Sequence, residues 1–312
     1  MPMEKSRMEP GSHYFNQVEL LVRILPLVAR QDCFALKGGT AINLFVRDLP
    51  RLSVDIDLTY LPVHLRDAAL PEMDAALRAL QLELEKLLPG VRVTGTALAG
   101  TRYYHKIVAQ LDVIQVKIEV SPVMRGIVEP PILMETSAQT RQTFGYVKVP
   151  VVAFNDLYAG KLCAALSRQH PRDLFDVAIL LRNEGLTDAL LEVFLVYLAC
   201  GNKPIAEMLA PIEYDLDRYF VDEFAGMTRE PVSVAMLHQS RQQLITELNQ
   251  RLTNTHKQFL LSLKRGEPEW GLLNRPGIEQ LPAIQWKLHN IRNMSRQKHQ
   301  AALARLEKVL YS

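Results

Sequence analysis

Residues 36–58 read LKGGTAINLFVRDLPRLSVDIDL, and the organisation of the first half of the chain follows from them. The apolar run Phe34-Ala35-Leu36 ends in Lys37-Gly38-Gly39-Thr40, and Ala41 to Phe45 resume a helical pattern. Arg51 to Leu58 then alternate polar and apolar, which predicts a strand with one buried face. The alternation puts Val54, Ile56 and Leu58 on the core side and Ser53, Asp55 and Asp57 on the other. Two carboxylates so close disfavour each other's ionisation unless a cation lies between them. Magnesium is the natural cation, because it prefers oxygen ligands and keeps waters and phosphates in its shell.

Upstream, Gly38 and Gly39 let backbone N–H groups approach a phosphate, and a helix beginning near Thr40 adds a favourable dipole. A phosphate cradle followed by a paired-carboxylate strand is what metal-assisted phosphoryl or nucleotidyl transfer requires. Either half alone is ordinary: a glycine pair is usually a turn, and an Asp-x-Asp a solvated strand face. Their order and spacing carry the reading.

Two further segments carry chemistry. Val116-Lys117-Ile118-Glu119-Val120-Ser121 alternates again, with Lys117, Glu119 and Ser121 on one face. Glu119 on a neighbouring strand would complete a metal site or accept a proton from an attacking hydroxyl. The plain alternative is an amphipathic strand with a cross-strand ion pair. Later, Lys161 lies among apolar residues of a predicted helix, where an ammonium could hold a triphosphate or offset charge on departing pyrophosphate. Asp173 and Asp176 share a face of the next helix. Asp176 is preferred for the site because Asp173 sits where a cap would be; the alternative is a structural pair with Arg168 or Arg172.

Working outward, the pattern predicts a helix over 14–30 with Pro26 inside it, and another over 66–88 closed by Pro89-Gly90. Strands follow at 91–98, 103–109 and 113–120, with a short one at 144–149 after a proline-marked loop. From Asn155, read as an N-cap, the periodicity is helical, over 155–167, 173–182, 186–200, 204–209, 234–263 and 284–310. The expected fold is therefore α/β: a mixed sheet with flanking helices over 1–150, then a mainly helical domain over 151–312 that contributes Lys161 and Asp176 to the site.

Composition sets outer limits. The 312 residues, 48% hydrophobic and 22% charged, suit a globular protein with a sizeable core. A net charge of +2 does not announce a nucleic-acid binder, but 241–265 and 287–308 are rich in Lys, Arg and His and predict a local basic face. Cys33, Cys163 and Cys200 are widely spaced, which predicts buried thiols rather than disulfides or zinc. The N-terminal stretch MPMEKSRMEPGSHYF lacks an apolar leader core, and no run approaches a membrane span, so the expected location is cytoplasmic.

The segments LKGGTAINLF, RLSVDIDL, VKIEV, DLYAGKLCAAL and RDLFDVAIL, in this order, resemble the AbiEii/AbiGii abortive-infection toxin family of the nucleotidyltransferase superfamily. The resemblance continues through GMTREPVS and RLTNTHKQFLLSLKRGEPEW. It implies a nucleotidyltransferase fold and a cytoplasmic toxin of a bacterial toxin–antitoxin pair, encoded beside a winged-helix antitoxin. It also implies magnesium-dependent transfer from a nucleoside triphosphate to an acceptor, with the tRNA 3′ end as the expected one. Carried onto this sequence, it implies that Gly39 and Ser53 contact phosphate, with Gly38 and Thr40 beside them, and that Asp55 and Asp57 hold magnesium. Lys161 would bind the triphosphate and Asp176 would complete the pocket, while Glu119 falls on a looser motif. The sequence departs from the superfamily at GGT, where many members carry GS, and Ser53 is the expected source of the missing hydroxyl. Transfer to a small molecule or protein, and a non-catalytic nucleotide-binding relative, are the alternative readings.

Overall fold

Ile56 and Leu58 are fully buried, and the strand that carries them lies inside a seven-stranded sheet. The structure is a computed structural model describing residues 8–312. The first seven residues of the stretch read for a leader lie outside the described residues. The chain divides into two compact units, one running to Ala153 with Phe224–Val232 added, the other holding Phe154–Glu223 and Ser233–Ser312.

In the first unit, α1 (His13–Val28) leads to β1 (Phe34–Lys37), and α2 (Gly38–Ala41) follows without a linker and continues as a π-turn over Ile42–Val46. Then come β2 (Asp55–Tyr60), α3 (Arg66–Leu87), β3 (Arg92–Ala97), β4 (Tyr104–Leu111), β5 (Ile114–Val120), β6 (Ile132–Glu135), α4 (Ala138–Phe144) and β7 (Lys148–Val151). The sheet order is β3-β4-β5-β2-β1-β7-β6, with β2 antiparallel to β1 and parallel to β5. Val116, Ile118 and Val120 of β5 and Leu36 of β1 extend the apolar face of β2, and α1 and α3 pack on the sheet through Val18, Leu21, Ile24, Leu77 and Leu80. Each such side chain contributes roughly 1.5–3 kcal/mol by leaving water.

Several expectations shift. The strand read from Arg51 begins at Asp55, because 50–52 bond elsewhere: Leu52 N–H donates to the Met227 carbonyl at 2.9 Å and Arg229 N–H to that of Pro50 at 2.9 Å. Pro26 ends no helix, since it sits in the last turn of α1, where one lost bond matters little. A strand read over 144–149 is instead the end of α4, a turn at Gly145 with φ +106°, and β7. Phe144 is drawn inward by Phe15, whose ring lies 4.7 Å away. The short edge strand β6 falls in what reads as loop.

The second unit contains α5 (Phe154–Arg168), α6 (Pro171–Asn183), α7 (Asp188–Cys200), α8 (Ile205–Leu209), α9 (Asp217–Glu223), α10 (Val234–Arg251), α11 (Asn254–Arg265), α12 (Pro282–Arg292) and α13 (Arg296–Tyr311). The long helices read over 234–263 and 284–310 are each two. Thr253 caps α11 through a reciprocal box with His256, and Ser295 caps α13. Apolar spacing runs across both breaks, so periodicity alone does not reveal them. Asn155 lies inside α5 rather than capping it, and His170 caps α6 ahead of Pro171. The three cysteines are free, but only Cys200 is buried, while Cys33 and Cys163 are half-buried; burial pushes the Cys33 thiol up to about 11 and the Cys200 thiol up to about 12. No helix among the described residues is long and apolar enough to cross a membrane.

Because the Thr253 side chain replaces a missing backbone partner at the start of α11, Thr253→Ala is expected to cost about 1 kcal/mol. Urea unfolding of the two proteins, compared at their midpoints, checks this.

Candidate functional site

In β2 the outward residues are Asp55 and Asp57, and the register of the sheet decides their neighbours. Asp57 is paired with Lys37 of β1 on one side and Glu119 of β5 on the other, and Asp55 is paired with Lys117. Residues in register share a face, so two carboxylates of β2 stand between charged residues of both flanking strands. The Lys117 ammonium is 3.9 Å from Asp55 Oδ1 across the strands and 3.6 Å from Glu119 Oε2 on its own strand, the pairing that alternation allows. Burial pushes the Lys37 ammonium down, while Asp57 and Glu119 work in the opposite direction. Lys117, Asp55 and Glu119 are half-exposed, so their pairings contribute little to stability and leave the carboxylates accessible from solvent.

The glycines sit directly against this strand. A Cβ on Gly38 would lie 2.5 Å from Asp57 Oδ2, and the Gly38 φ of +73° is one that other residues rarely adopt. A Cβ on Gly39 would lie 2.8 Å from both Ser53 Oγ and Arg51 Nη2. Backbone, the Asp57 carboxylate, a hydroxyl and a guanidinium therefore meet with no room for another side chain. Thr40 holds the arrangement: its hydroxyl donates to the Asp55 carbonyl at 2.5 Å and lies 3.1 Å from Ser53 Oγ. Asn43 Nδ2 donates to the Gly39 carbonyl at 2.8 Å, fixing the first helical turn.

The structure thus brings together Gly38, Gly39, Thr40, Ser53, Asp55 and Asp57, although Ser53 precedes the strand instead of lying on it. Glu119 adjoins Asp57 in register, yet no three His, Cys, Asp or Glu residues form one metal-binding group among the described residues. Asp55 and Asp57 offer two hard oxygen donors for a cation such as magnesium, which completes its shell with water and phosphate. Sequence reasoning missed Lys37 and Arg51. Arg51 is 2% exposed and donates to the Leu52 carbonyl at 2.8 Å. Its position, two before Ser53 in the same alternation, was the available signal.

In the helical unit, Lys161, Asp173 and Asp176 form a buried ion cluster. The Lys161 ammonium donates to Asp173 Oδ1 at 2.8 Å and lies 3.0 Å from Asp176 Oδ2, and Arg168 Nε bonds the second Asp173 oxygen at 2.5 Å. Asp173 is therefore more than a cap, a function His170 performs by accepting from Arg172 N–H at 3.1 Å. Burial works against ionisation of Asp173, but Lys161 and Arg168 outweigh it and hold the carboxyl well below the usual carboxylate range. Stability from this group is complete above the ordinary carboxylate pKa and is lost as pH falls towards the depressed one. Asp173→Asn is expected to cost about 3 kcal/mol at pH 7 by leaving buried charge uncompensated. Unfolding measured against pH should show the gap from wild type narrowing below about pH 4; a gap that does not change with pH contradicts the assignment.

A search of curated protein sequences gave no match. Among solved structures, the chain is similar to MenT4, a nucleotidyltransferase toxin from Mycobacterium tuberculosis H37Rv, at 16% identity, with a TM-score of 0.61 over 96% of this chain and 94% of that one. At that identity the likeness establishes the mixed α/β fold. The family model described as nucleotidyl transferase AbiEii toxin, type IV toxin–antitoxin system, matches residues 19–290. The chain belongs to the AbiEii family of nucleotidyltransferase toxins of type IV toxin–antitoxin systems.

Proposed function

We propose that this toxin transfers a nucleotide from a nucleoside triphosphate to the 3′ end of an RNA, a tRNA above all, with magnesium held by Asp55 and Asp57. The observation that carries the reading is the packing of the Gly38–Gly39 backbone onto Asp57, Ser53 and Arg51, which joins phosphate donors to cation-holding carboxylates. Magnesium, when bound, neutralises triphosphate charge and makes the α-phosphate easier to attack.

The chain's own groups supply the rest. Backbone N–H groups at Gly38 and Gly39 donate to phosphate oxygens, and Ser53, positioned by Thr40, adds a hydroxyl with the Arg51 guanidinium beside it. The attacking 3′ oxygen forms a bond to the α-phosphorus as the bond to pyrophosphate breaks. Glu119 is the nearest registered carboxylate to Asp57 and is assigned the proton of the attacking hydroxyl, or a further contact to magnesium. Lys161, held by Asp173 and Asp176, is assigned the triphosphate, and Asp176 completes that pocket. Lys257, Lys264, Arg265 and basic α13 give RNA an electrostatic landing surface. A winged-helix antitoxin encoded nearby and a cytoplasmic setting complete the reading.

Incubation of purified protein with total tRNA, magnesium and each α-labelled nucleoside triphosphate should place label in RNA. Asp57→Asn should lower the rate by about a thousand-fold with the fold retained by circular dichroism. Label in protein instead of RNA supports the other acceptor class, and absence of label with every nucleotide overturns transfer. On induced expression, Asp57→Ala should abolish toxicity; unchanged toxicity contradicts the enzymatic account.

A further inference from the structure

The helical unit holds a second place suited to phosphate. A cleft of about 310 Å³ opens between the start of α8, the end of α11 and one face of α13. Its floor is apolar, lined by Ile205, Ala301, Ala302 and Leu306, of which Ile205 and Leu306 are buried, and the small alanine side chains take up little of the space. Lys264, Lys298 and Arg305 ring this floor, and no acidic residue lines it. Lys298, Ala301, Ala302 and Arg305 share one face of α13 by their spacing. Arg305 is occupied by Glu207, 2.8 Å away. Lys264 and Lys298 have no carboxylate partner among the described residues.

We infer that this cleft binds the phosphate of a single nucleotide unit, either a free nucleotide or one residue of an RNA strand, with the base against the alanine floor. The cleft lies at the lower end of the roughly 300–1,000 Å³ of small-ligand sites, too small for a duplex. Its walls are set in advance, because His299 Nε2 donates to the Lys264 carbonyl at 2.7 Å and ties α11 to α13. Burial pushes the Lys264 ammonium below its ordinary value. An anion in the cleft supplies the counter-charge that Lys264 and Lys298 lack. A groove that were only a solvated helix face would present acids among its bases and no cavity.

Binding is measured by calorimetry with 5′-AMP and with a six-residue single-stranded oligoribonucleotide, in a chelator so that the carboxylate site lacks its cation. At least one probe should bind, and the affinity should fall roughly ten-fold or more in Lys264→Gln/Lys298→Gln and in Ala302→Leu, which fills the floor and keeps the charges. Lys298→Glu, at an exposed position, tests charge where repacking at Ala302 perturbs the fold. Asp57→Asn should bind as wild type does, so failure of the transfer reading and failure of the cleft are separable. Preference for AMP assigns a free nucleotide, and preference for the oligonucleotide assigns a strand. No binding of either probe, or binding that survives the cleft variants, overturns the proposal.

Discussion

The first unit is arranged around one steric constraint, the contact between the backbone of Gly38 and the carboxylate of Asp57. A side chain at Gly38 would collide with Asp57 Oδ2, and one at Gly39 with Ser53 and Arg51. The first helical turn begins directly after the last residue of β1, with Gly38 in a left-handed conformation that other residues adopt only with strain. Thr40 then closes the arrangement by bonding back to β2. Backbone N–H groups and carboxylates are held at one place by the same few residues, the kind of preorganisation that the proposed transfer would draw on.

Sheet register gives this place its charge pattern. Asp55 and Asp57 face Lys117 and Lys37 across the flanking strands, so the resting site carries its own counterions. Lys117, Asp55 and Glu119 are half in water, where such pairings exchange readily. The cluster of Lys161, Asp173 and Asp176 is built differently, with both aspartates almost wholly buried and Asp173 strongly favoured in its charged form. Such a cluster fixes the orientation of α5 against α6.

Much of this was legible in the sequence because period-two and period-3.6 patterns report which side chains face the core. The alternation from Ser53 to Leu58 identifies the strand and its two carboxylates, and the glycines mark the close approach. Lys37 was not legible, because its closeness to Asp57 is a matter of register between strands, which no single strand encodes. Arg51 lies on the readable alternation, but an arginine at the start of a strand ordinarily turns to solvent. The breaks at Thr253 and Ser295 were hidden for another reason: capping residues interrupt hydrogen bonding without interrupting apolar spacing. The return of Phe224–Val232 to the first unit depends on backbone bonds to Pro50 and Leu52, which leave no pattern in composition.

The central claim is that Asp55, Asp57 and the Gly38–Gly39 backbone hold a nucleotide and a divalent cation together. Calorimetric titration of a non-hydrolysable nucleoside triphosphate, with and without magnesium, tests it most directly. The account predicts binding that needs magnesium and is lost in Asp55→Asn/Asp57→Asn with the fold intact. Binding of equal strength without magnesium, or undiminished in the double variant, would contradict it.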